Sequence, residues 1–279
     1  MTSVDLDRLA ATLTEVAEAE ILPRWRNLAE GDIREKTGPT DLVTVADEAA
    51  ERRLVELLPD LYPGSVVIGE ESVEKDRSLL GRIDGDAPVW IVDPVDGTNN
   101  FAEGKDRFCV MVALAHRGET IASAIHQPVE KRTAVAARGE GAWMLAEGTR
   151  APLRVAAAAG IEEMEGSFNF RFFPEEVRPG IRARANEMLG DRHYRRGCAG
   201  YDYIQLATGR WHYAVYWKKM PWDHAPGLLI HAEAGGYSAC VDGTPYRPGK
   251  LGGGIIAAAD EAGWQALRDQ VVGPVPTAL

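Results

Sequence analysis

The segment WIVDPVDGTNNF, residues 90–101, places two carboxylates three residues apart, directly after a run of apolar residues. The apolar run PVWIV predicts a buried strand that ends at Asp93. Pro94 fixes its own φ and favours extended backbone in the residue before it, so the turn can direct Asp93 and Asp96 towards one point. A charge at the end of a buried strand needs a partner. The two acids are therefore the ligands of a cation or, as acids in turns often are, a solvated surface or a helix cap.

A second acidic group follows another apolar run. SVVIG predicts a buried strand, and Glu70 and Glu71 come directly after it. If the two strands lie side by side, Glu70 reaches the same point as Asp93. Mg²⁺ requires hard oxygen ligands, and no nearby Cys or His favours a softer metal. The pattern predicts a magnesium site.

The residues after Asp96 add an independent signal. GTNNF predicts a short helix whose first N–H groups can cradle a phosphate, because Gly97 has no Cβ to obstruct it. Thr98 can hold a water there. Further along the chain, Asp223 in PWDHAPG stands at the predicted start of an apolar helix, where a role as N-cap is the alternative to metal binding. A metal beside amide donors suits hydrolysis of a phosphate ester.

Composition excludes several classes of protein. The chain has 279 residues and a formal net charge of −11, which opposes non-specific binding to nucleic acid or to an anionic membrane. The N-terminal segment is acidic and amphipathic, unlike a signal peptide, and no stretch is long and apolar enough for a membrane span. Three distant cysteines without a CxxC motif indicate neither a disulfide framework nor a zinc site. We expect a soluble cytoplasmic protein.

Periodicity predicts two lobes in tight contact, residues 1–150 and residues 151–279. The first lobe would pair two helices, residues 6–22 and 46–58, with an antiparallel sheet that carries most metal ligands. A loop would cover residues 31–47, and a polar, mobile segment residues 72–86. The second lobe would alternate strands with helices and supply Asp223 and a wall of the substrate pocket. Helices are predicted at 175–189, 201–209, 223–236 and 260–271.

Four motifs in this order resemble the inositol monophosphatase family of Mg²⁺-dependent, lithium-sensitive phosphatases: DLVTVAD, IGEES, WIVDPVDGTNNF and WDHAPGLLIHAEAGG. They extend over residues 36–236. The resemblance implies an α+β fold, the layered α/β/α/β/α sandwich of the inositol monophosphatase and fructose-1,6-bisphosphatase type. It also implies a homodimer.

The resemblance implies a set of metal ligands. Glu70, Asp93 and the backbone carbonyl of Val95 would bind a first Mg²⁺. Asp93, Asp96 and Asp223 would bind a second, and a third, weaker metal would lie near Glu70. The expected cofactor is therefore two or three Mg²⁺ per active site.

The resemblance also implies roles in catalysis and substrate binding. Asp47 and Thr98 would position and deprotonate the attacking water, with Glu70 acting through the metal. The backbone amides of Gly97 and Thr98 would hold the phosphate. Asp96 would also face the hydroxyl groups of the substrate.

The sequence departs from the inositol-specific enzymes in the substrate pocket. Tyr216 stands seven residues before Asp223, where those enzymes have a Glu. The pocket stretch formed by Gly197, Cys198 and Ala199 has a Cys in the middle, either a small wall residue or a reactive thiol. His224 is also unusual, and it would contact the leaving group or be satisfied by its neighbours at a helix start.

Basic residues lie near these positions. Lys218 and Lys219, with Arg195 or Arg196, could favour a substrate with a second anionic group, although a solvated rim is the alternative. Lys36 lies before DLVT and could add positive charge near the metals or could be exposed.

The predicted function is a Mg²⁺-dependent phosphomonoesterase acting on a small polyol, sugar or related phosphate, with inositol-1-phosphate as the default substrate. Histidinol phosphate, fructose-1,6-bisphosphate and 3′-phosphoadenosine-5′-phosphate are the alternatives. An alternative from another class is a regulatory binding protein that contacts transcription machinery. The intact set of acids speaks against a purely non-catalytic role.

Overall fold

The computed structural model describes residues 4–38 and 41–275 of the chain. Apart from a short helix over Glu70–Lys75, which was not predicted, its described α-helices fall close to the predicted positions, and the first and last continue as π-helical turns over Ala17–Ile21 and Leu267–Val272. The helices are α1 (Leu6–Val16), α2 (Val45–Leu57), α3 (Glu70–Lys75), α4 (Thr98–Ala102), α5 (Arg178–Leu189), α6 (Ala199–Ala207), α7 (Pro221–Glu233) and α8 (Glu261–Ala266).

The strands form three sheets. They are β1 (Ile33–Gly38), β2 (Asp41–Thr44), β3 (Val66–Gly69), β4 (Val89–Asp96), β5 (Cys109–His116), β6 (Glu119–Gln127), β7 (Arg132–Ala137), β8 (Ala142–Ala146), β9 (Thr149–Pro152), β10 (Gly166–Phe168), β11 (His193–Tyr194), β12 (Tyr213–Tyr216), β13 (Tyr237–Cys240) and β14 (Ile255–Ala258). β1 and β2 form a hairpin, β3 to β9 form a seven-stranded sheet in chain order, and the remaining strands form a five-stranded sheet in the order β11, β10, β12, β14, β13.

The larger sheet is antiparallel, as predicted, except that β3 runs parallel to β4. Helices α1 and α2 cover one of its faces. Leu9 and Leu13 of α1 and Leu54 of α2 are fully buried there beside Trp90 and Val112 of the sheet. Asp5 caps α1 by accepting hydrogen bonds from the N–H groups of the first turn, which fixes where that helix begins.

Helices α6 and α7 form the middle layer between the two sheets. Tyr203 and Ile230 of these helices lie in one apolar cluster with Met111 of the larger sheet and Ile255 of the smaller one. The smaller sheet is mixed, because β10 pairs in parallel with β11 and β12 while β14 is antiparallel to both its neighbours. Helices α5 and α8 pack on its outer face. These five layers confirm the α/β/α/β/α sandwich.

One prediction about connecting segments is wrong. The predicted loop over residues 31–47 contains the β1–β2 hairpin, in which Ile33 pairs with Thr44. The segment over residues 72–86, predicted to be polar and mobile, is mostly helical: α3 extends to Lys75, and a 3₁₀-helix follows over Arg77–Asp84. Ile83 is buried, and so anchors this otherwise polar segment. Among the described residues, none of the helices combines the length and the apolar character needed to span a membrane.

Candidate active site

A β-bulge at the end of β4 brings Asp93 and Asp96 to the same pocket. Asp93 pairs with Met111 and Asp96 with Cys109, so three steps on β4 match two on β5. In a regular strand, residues three apart point to opposite faces of the sheet. The extra residue cancels that reversal. Both carboxylates consequently line one pocket of about 220 Å³.

The parallel pairing of β3 with β4 brings Glu70 to the same place. Gly69, the last residue of β3, pairs with Val92, so Glu70 begins α3 beside Asp93. Glu70 lines the pocket, as predicted. Adjacent parallel strands end at one edge of the sheet, which is why two acidic groups separated by more than twenty residues meet there.

Lys36 is the cation that pairs with this acidic edge. Its Nζ lies 2.9 Å from Oε1 of Glu70 and 2.6 Å from Oε1 of Glu71. The side chain is only 6% exposed, so the exposed alternative for Lys36 is wrong. Although burial alone would lower the pKa of Lys36, the two carboxylates raise it, and the lysine stays charged. Burial and the charge of Glu70 raise the pKa of Glu71 to about 8.

The remaining acids are buried together. Burial, followed by the charges of Glu70, Asp96 and Asp223, raises the pKa of Asp93 well above its usual range. Burial and the charges of Glu70 and Asp96 do the same for Asp223. Within the described part of the chain, Oδ1 of Asp93 is buried without a hydrogen-bond partner. Such a cluster needs positive charge among its oxygens.

The donor set fits a hard divalent cation. Glu70, Asp93, Asp96 and Asp223 line the pocket with Val95, whose carbonyl oxygen is the predicted backbone ligand. All of these donors are oxygens, which is the set that Mg²⁺ prefers. The orphaned Oδ1 of Asp93 is the observation in this structure that a bound cation would explain.

Asp96 also joins the larger sheet to α6. Its oxygens accept hydrogen bonds from the backbone N–H of Gly200 at 2.6 Å and of Ala199 at 3.2 Å. Sγ of Cys198 donates to Oδ2 at 2.9 Å. Cys198 is buried, and burial raises the pKa of its thiol well above the ordinary value, which supports a small wall residue rather than a reactive thiol. Gly197, Cys198 and Ala199 all line the pocket, as predicted.

Asp47 and Thr98 are in contact across two elements. Asp47 is the third residue of α2, where its Oδ2 accepts hydrogen bonds from the backbone N–H and the hydroxyl of Thr44. Its Oδ1 lies 3.1 Å from Oγ1 of Thr98, which is also 3.0 Å from the carbonyl oxygen of Val95. Burial raises the pKa of Asp47 to about 6, although both hydrogen bonds from Thr44 oppose the shift. The pair predicted from the sequence is therefore in hydrogen-bonding geometry.

Gly97 occupies a position that other residues cannot. Its φ of 91° lies in the left-handed region, and it precedes α4 as the helix cap. A Cβ there would lie 2.9 Å from the carbonyl oxygen of Arg107 and 3.2 Å from Cβ of Cys198. Gly97 and Thr98 both line the pocket, at the start of a helix whose first backbone N–H groups have no partner within the helix.

Asp223 enters the pocket from α7, but it is not the cap of that helix. Met220 is the N-cap and Pro221 the first residue, so Asp223 stands within the first turn and lines the pocket. His224 follows it and is buried, with Nδ1 2.9 Å from the hydroxyl of Tyr203 and Nε2 2.7 Å from the carbonyl oxygen of Lys218. Burial lowers the pKa of His224 to about 4. Its neighbours satisfy this histidine, in agreement with the second of the two predicted alternatives.

The opposite wall contains an acid that the sequence analysis missed. Asp202 of α6 is 3% exposed and lines the pocket, and its Oδ2 accepts hydrogen bonds from Oγ of Ser167 at 2.6 Å and from the hydroxyl of Tyr216 at 2.8 Å. Burial raises the pKa of Asp202 to about 7, and the two donors oppose the shift. The one available signal was an acid in the otherwise apolar helix YDYIQLA.

The basic residues are divided between the pocket and the interior. Arg195, Arg196 and Lys218 line the pocket, and Arg171 lies there too. Lys219 does not line it, which corrects the expectation for that residue. Its Nζ is instead 3.4 Å from Sγ of Cys240, and the residue is 5% exposed.

Comparison with known proteins agrees with this geometry. The model of the inositol monophosphatase family matches residues 5–273. The chain is 34% identical over 246 residues to an inositol-1-monophosphatase of Rhizobium meliloti, covering 86% of each chain. It is 31% identical over 211 residues to a fructose-1,6-bisphosphatase/inositol-1-monophosphatase of Thermotoga maritima, covering 74% of this chain and 73% of the relative. A solved IMPase of Thermotoga maritima has a TM-score of 0.76 at 28% identity, covering 95% of this chain and 94% of its own.

Proposed function

The chain belongs to the inositol monophosphatase family and is a phosphoric monoester hydrolase, and from this premise we propose that it uses Mg²⁺ to hydrolyse the phosphate ester of a small polyol or sugar. Inositol-1-phosphate is the reference substrate. The observation that carries the metal is the buried, unpartnered Oδ1 of Asp93 among three further carboxylates. The intact set of acids argues against the alternative of a purely regulatory binding protein.

Five residues would hold the metal ions: Glu70, Asp93, Val95, Asp96 and Asp223. When bound, Mg²⁺ would lower the pKa of a coordinated water and would provide positive charge to stabilise the phosphate oxygens. Since Lys36 already contacts Glu70, its ammonium would remain as a fixed positive charge at the edge of the site. The proposed number of ions, two or three, rests on the resemblance to the family.

Thr98 and Asp47 would handle the proton of the attacking water. The hydroxyl of Thr98 can donate to Oδ1 of Asp47 and accept from a water in the pocket. A group with a pKa of about 6 accepts a proton readily near neutral pH, which suits Asp47 as the final acceptor. The two hydrogen bonds from Thr44 fix the carboxylate, so that only Oδ1 faces Thr98.

The first backbone N–H groups of α4 would hold the phosphate. Gly97 and Thr98 stand at the start of this helix, where backbone donors have no partner within the helix. The carboxylates of the site line the same pocket. Phosphate bound there would accept hydrogen bonds from these amides, which would suit attack by water on phosphorus without a covalent enzyme intermediate.

Release of inorganic phosphate from a panel of esters tests the proposal. We would compare inositol-1-phosphate, histidinol phosphate, fructose-1,6-bisphosphate, 3′-phosphoadenosine-5′-phosphate and β-glycerophosphate, each with Mg²⁺ and with EDTA. We expect turnover that EDTA abolishes and that is fastest with a polyol or sugar phosphate. Folded protein that binds Mg²⁺ but hydrolyses none of the esters would contradict the proposal.

A second candidate is a bisphosphatase. Arg171, Arg195, Arg196 and Lys218 line the pocket, where a second anionic group would find positive charge. The Thermotoga maritima relative carries fructose-1,6-bisphosphatase in its name. A higher kcat/KM for either bisphosphate of the panel than for inositol-1-phosphate would favour this candidate.

We also propose a cytoplasmic homodimer. Cys109, Cys198 and Cys240 are all free thiols, which suits a reducing compartment. The dimer rests on the family resemblance alone, and light scattering of the purified protein measures its mass against the 30.4 kDa of one chain.

A further inference from the structure

Asp202 presents an unused acceptor to the pocket. Its Oδ2 accepts two hydrogen bonds, whereas its Oδ1 is buried without a partner in residues 4–38 and 41–275. Buried carboxylate oxygens are normally hydrogen-bonded, and an unsatisfied one costs free energy. Because Asp202 lines the pocket, a donor on a bound molecule can supply the missing hydrogen bond.

Two strands fix the direction of this carboxylate. Ser167 lies on β10 and Tyr216 on β12, neighbouring strands in which Ser167 pairs with Ala214. Tyr216 is 7% exposed, so its hydroxyl has little freedom to leave Oδ2. Because Ser167 and Tyr216 both hold Oδ2, Oδ1 also has a fixed position. A group that recognises a substrate needs such a fixed position.

We propose that Asp202 recognises a hydroxyl group of the substrate, which donates a hydrogen bond to Oδ1, so that substrates with a hydroxyl at this position are preferred over those without one. The inference rests on the proposed phosphatase function and assigns a specificity residue to it. The charge of the group supports this choice of ligand. A carboxylate repels a second phosphate placed against it, whereas a neutral hydroxyl gains a charge-assisted hydrogen bond.

The test pairs Asp202→Asn with two esters of the same ring. Myo-inositol 1-phosphate has five free hydroxyls, and cyclohexyl phosphate has none. In the variant, the amide oxygen should occupy the position of Oδ2, because the hydroxyls of Ser167 and Tyr216 both donate hydrogen bonds to it. The NH₂ group then occupies the position of Oδ1. The variant therefore keeps the shape of the side chain while exchanging a charged acceptor for a neutral donor.

We define the KM ratio as the KM for myo-inositol 1-phosphate divided by the KM for cyclohexyl phosphate, both measured with Mg²⁺. We expect this ratio to be at least about tenfold higher in Asp202→Asn than in the wild type. Asp242→Asn is the matched control, because Asp242 is exposed and contacts Thr244 rather than the pocket. Its KM ratio should equal that of the wild type.

Three outcomes would overturn the inference or its premise separately. An equal rise of both KM values would show that Asp202 only positions Tyr216 and Ser167. Equal KM values of the two esters in the wild type would show that no hydroxyl is recognised, and this measurement needs no variant to fold. No Mg²⁺-dependent hydrolysis of either ester by the wild type would instead refute the phosphatase function itself.

Discussion

The two walls of the pocket hold their carboxylates in different ways. The acidic wall, formed by Glu70, Asp93, Asp96 and Asp223, gathers like charges, and burial together with the neighbouring carboxylates raises the pKa values of Asp93 and Asp223. The hydroxyl wall, formed by Ser167, Asp202 and Tyr216, surrounds one carboxylate with donors from the protein itself.

The difference indicates a division of labour. Carboxylates that repel one another need protons or a cation to neutralise them, and a bound metal ion would complete the acidic wall. The hydroxyl wall is almost complete, and Oδ1 of Asp202 is left without a partner in the described part of the chain. We expect changes in the acidic wall to affect the rate of hydrolysis and metal binding, and changes in the hydroxyl wall to affect the choice of substrate.

The largest expected effect follows from Asp93→Asn. The variant removes the charge of a proposed ligand of both metal ions while keeping its shape, and we expect kcat/KM to fall by about 1,000-fold or more, since metal ions contribute several kcal/mol to such reactions. Without metal the midpoint of thermal unfolding should not fall, because one repelling charge is gone. Phosphate release and calorimetry measure the two quantities, with Asp242→Asn as control. Retained turnover would contradict the metal assignment.

Thr98→Ala tests whether proton handling belongs to the acidic side of the pocket. Loss of the hydroxyl removes the contact with Asp47, and we expect kcat to fall about 100-fold, the typical contribution of acid–base catalysis. KM should change much less. Thr12→Ala, which removes a hydroxyl that contacts only Arg8 of α1, is the control in the same steady-state assay. A change confined to KM would place Thr98 in binding instead.

Addition of Mg²⁺ should stabilise the protein through the acidic wall alone. At a concentration of 100 times Kd, binding contributes about 2.7 kcal/mol, which corresponds to a rise in Tm of roughly 5 °C for a chain of this size. Differential scanning fluorimetry with Mg²⁺, and with K⁺ at equal ionic strength, measures the shift. Asp93→Asn should lose it and Asp202→Asn should keep it. The same shift in both variants would mean that the ion binds elsewhere.

The smallest expected effect is that of Tyr216→Phe. The variant removes one of the two donors to Asp202, and we expect the free energy of unfolding to fall by about 1–2 kcal/mol. For myo-inositol 1-phosphate, KM should rise while kcat stays close to that of the wild type. Urea denaturation and steady-state kinetics provide the measurements, and Tyr213→Phe, whose hydroxyl contacts the carbonyl of Arg192, is the control. A fall in kcat as large as that of Thr98→Ala would remove the distinction between the walls.

The acidic wall was predictable from the sequence because its signals are local. An apolar run ends directly before Glu70 and another directly before Asp93, and a proline and a glycine mark the turn between Asp93 and Thr98. The hydroxyl wall was not predictable in the same way. Ser167, Asp202 and Tyr216 come from a strand, a helix and another strand, and only the packing of α6 on the smaller sheet brings them together.

The β1–β2 hairpin was missed for a related reason. Its strands are short and mostly polar, so they lack the alternation that identifies a half-buried strand. The ion pair of Lys36 with Glu70 and Glu71 likewise joins residues more than thirty positions apart. The bulge in β4 depends on pairing with β5, which no single segment reveals.

The bond between Asp96 and the start of α6 links the assembly of the protein to its chemistry. Asp96 is a proposed metal ligand of the larger sheet, and its carboxylate also holds the backbone N–H groups of Ala199 and Gly200. Docking of the middle helical layer and completion of the second proposed ligand set, Asp93, Asp96 and Asp223, are thus linked. A chain that has folded only its first 150 residues would lack both Asp223 and the contacts that orient Asp96. Such a chain would keep the first proposed set and would complete the second only after its later layers have packed.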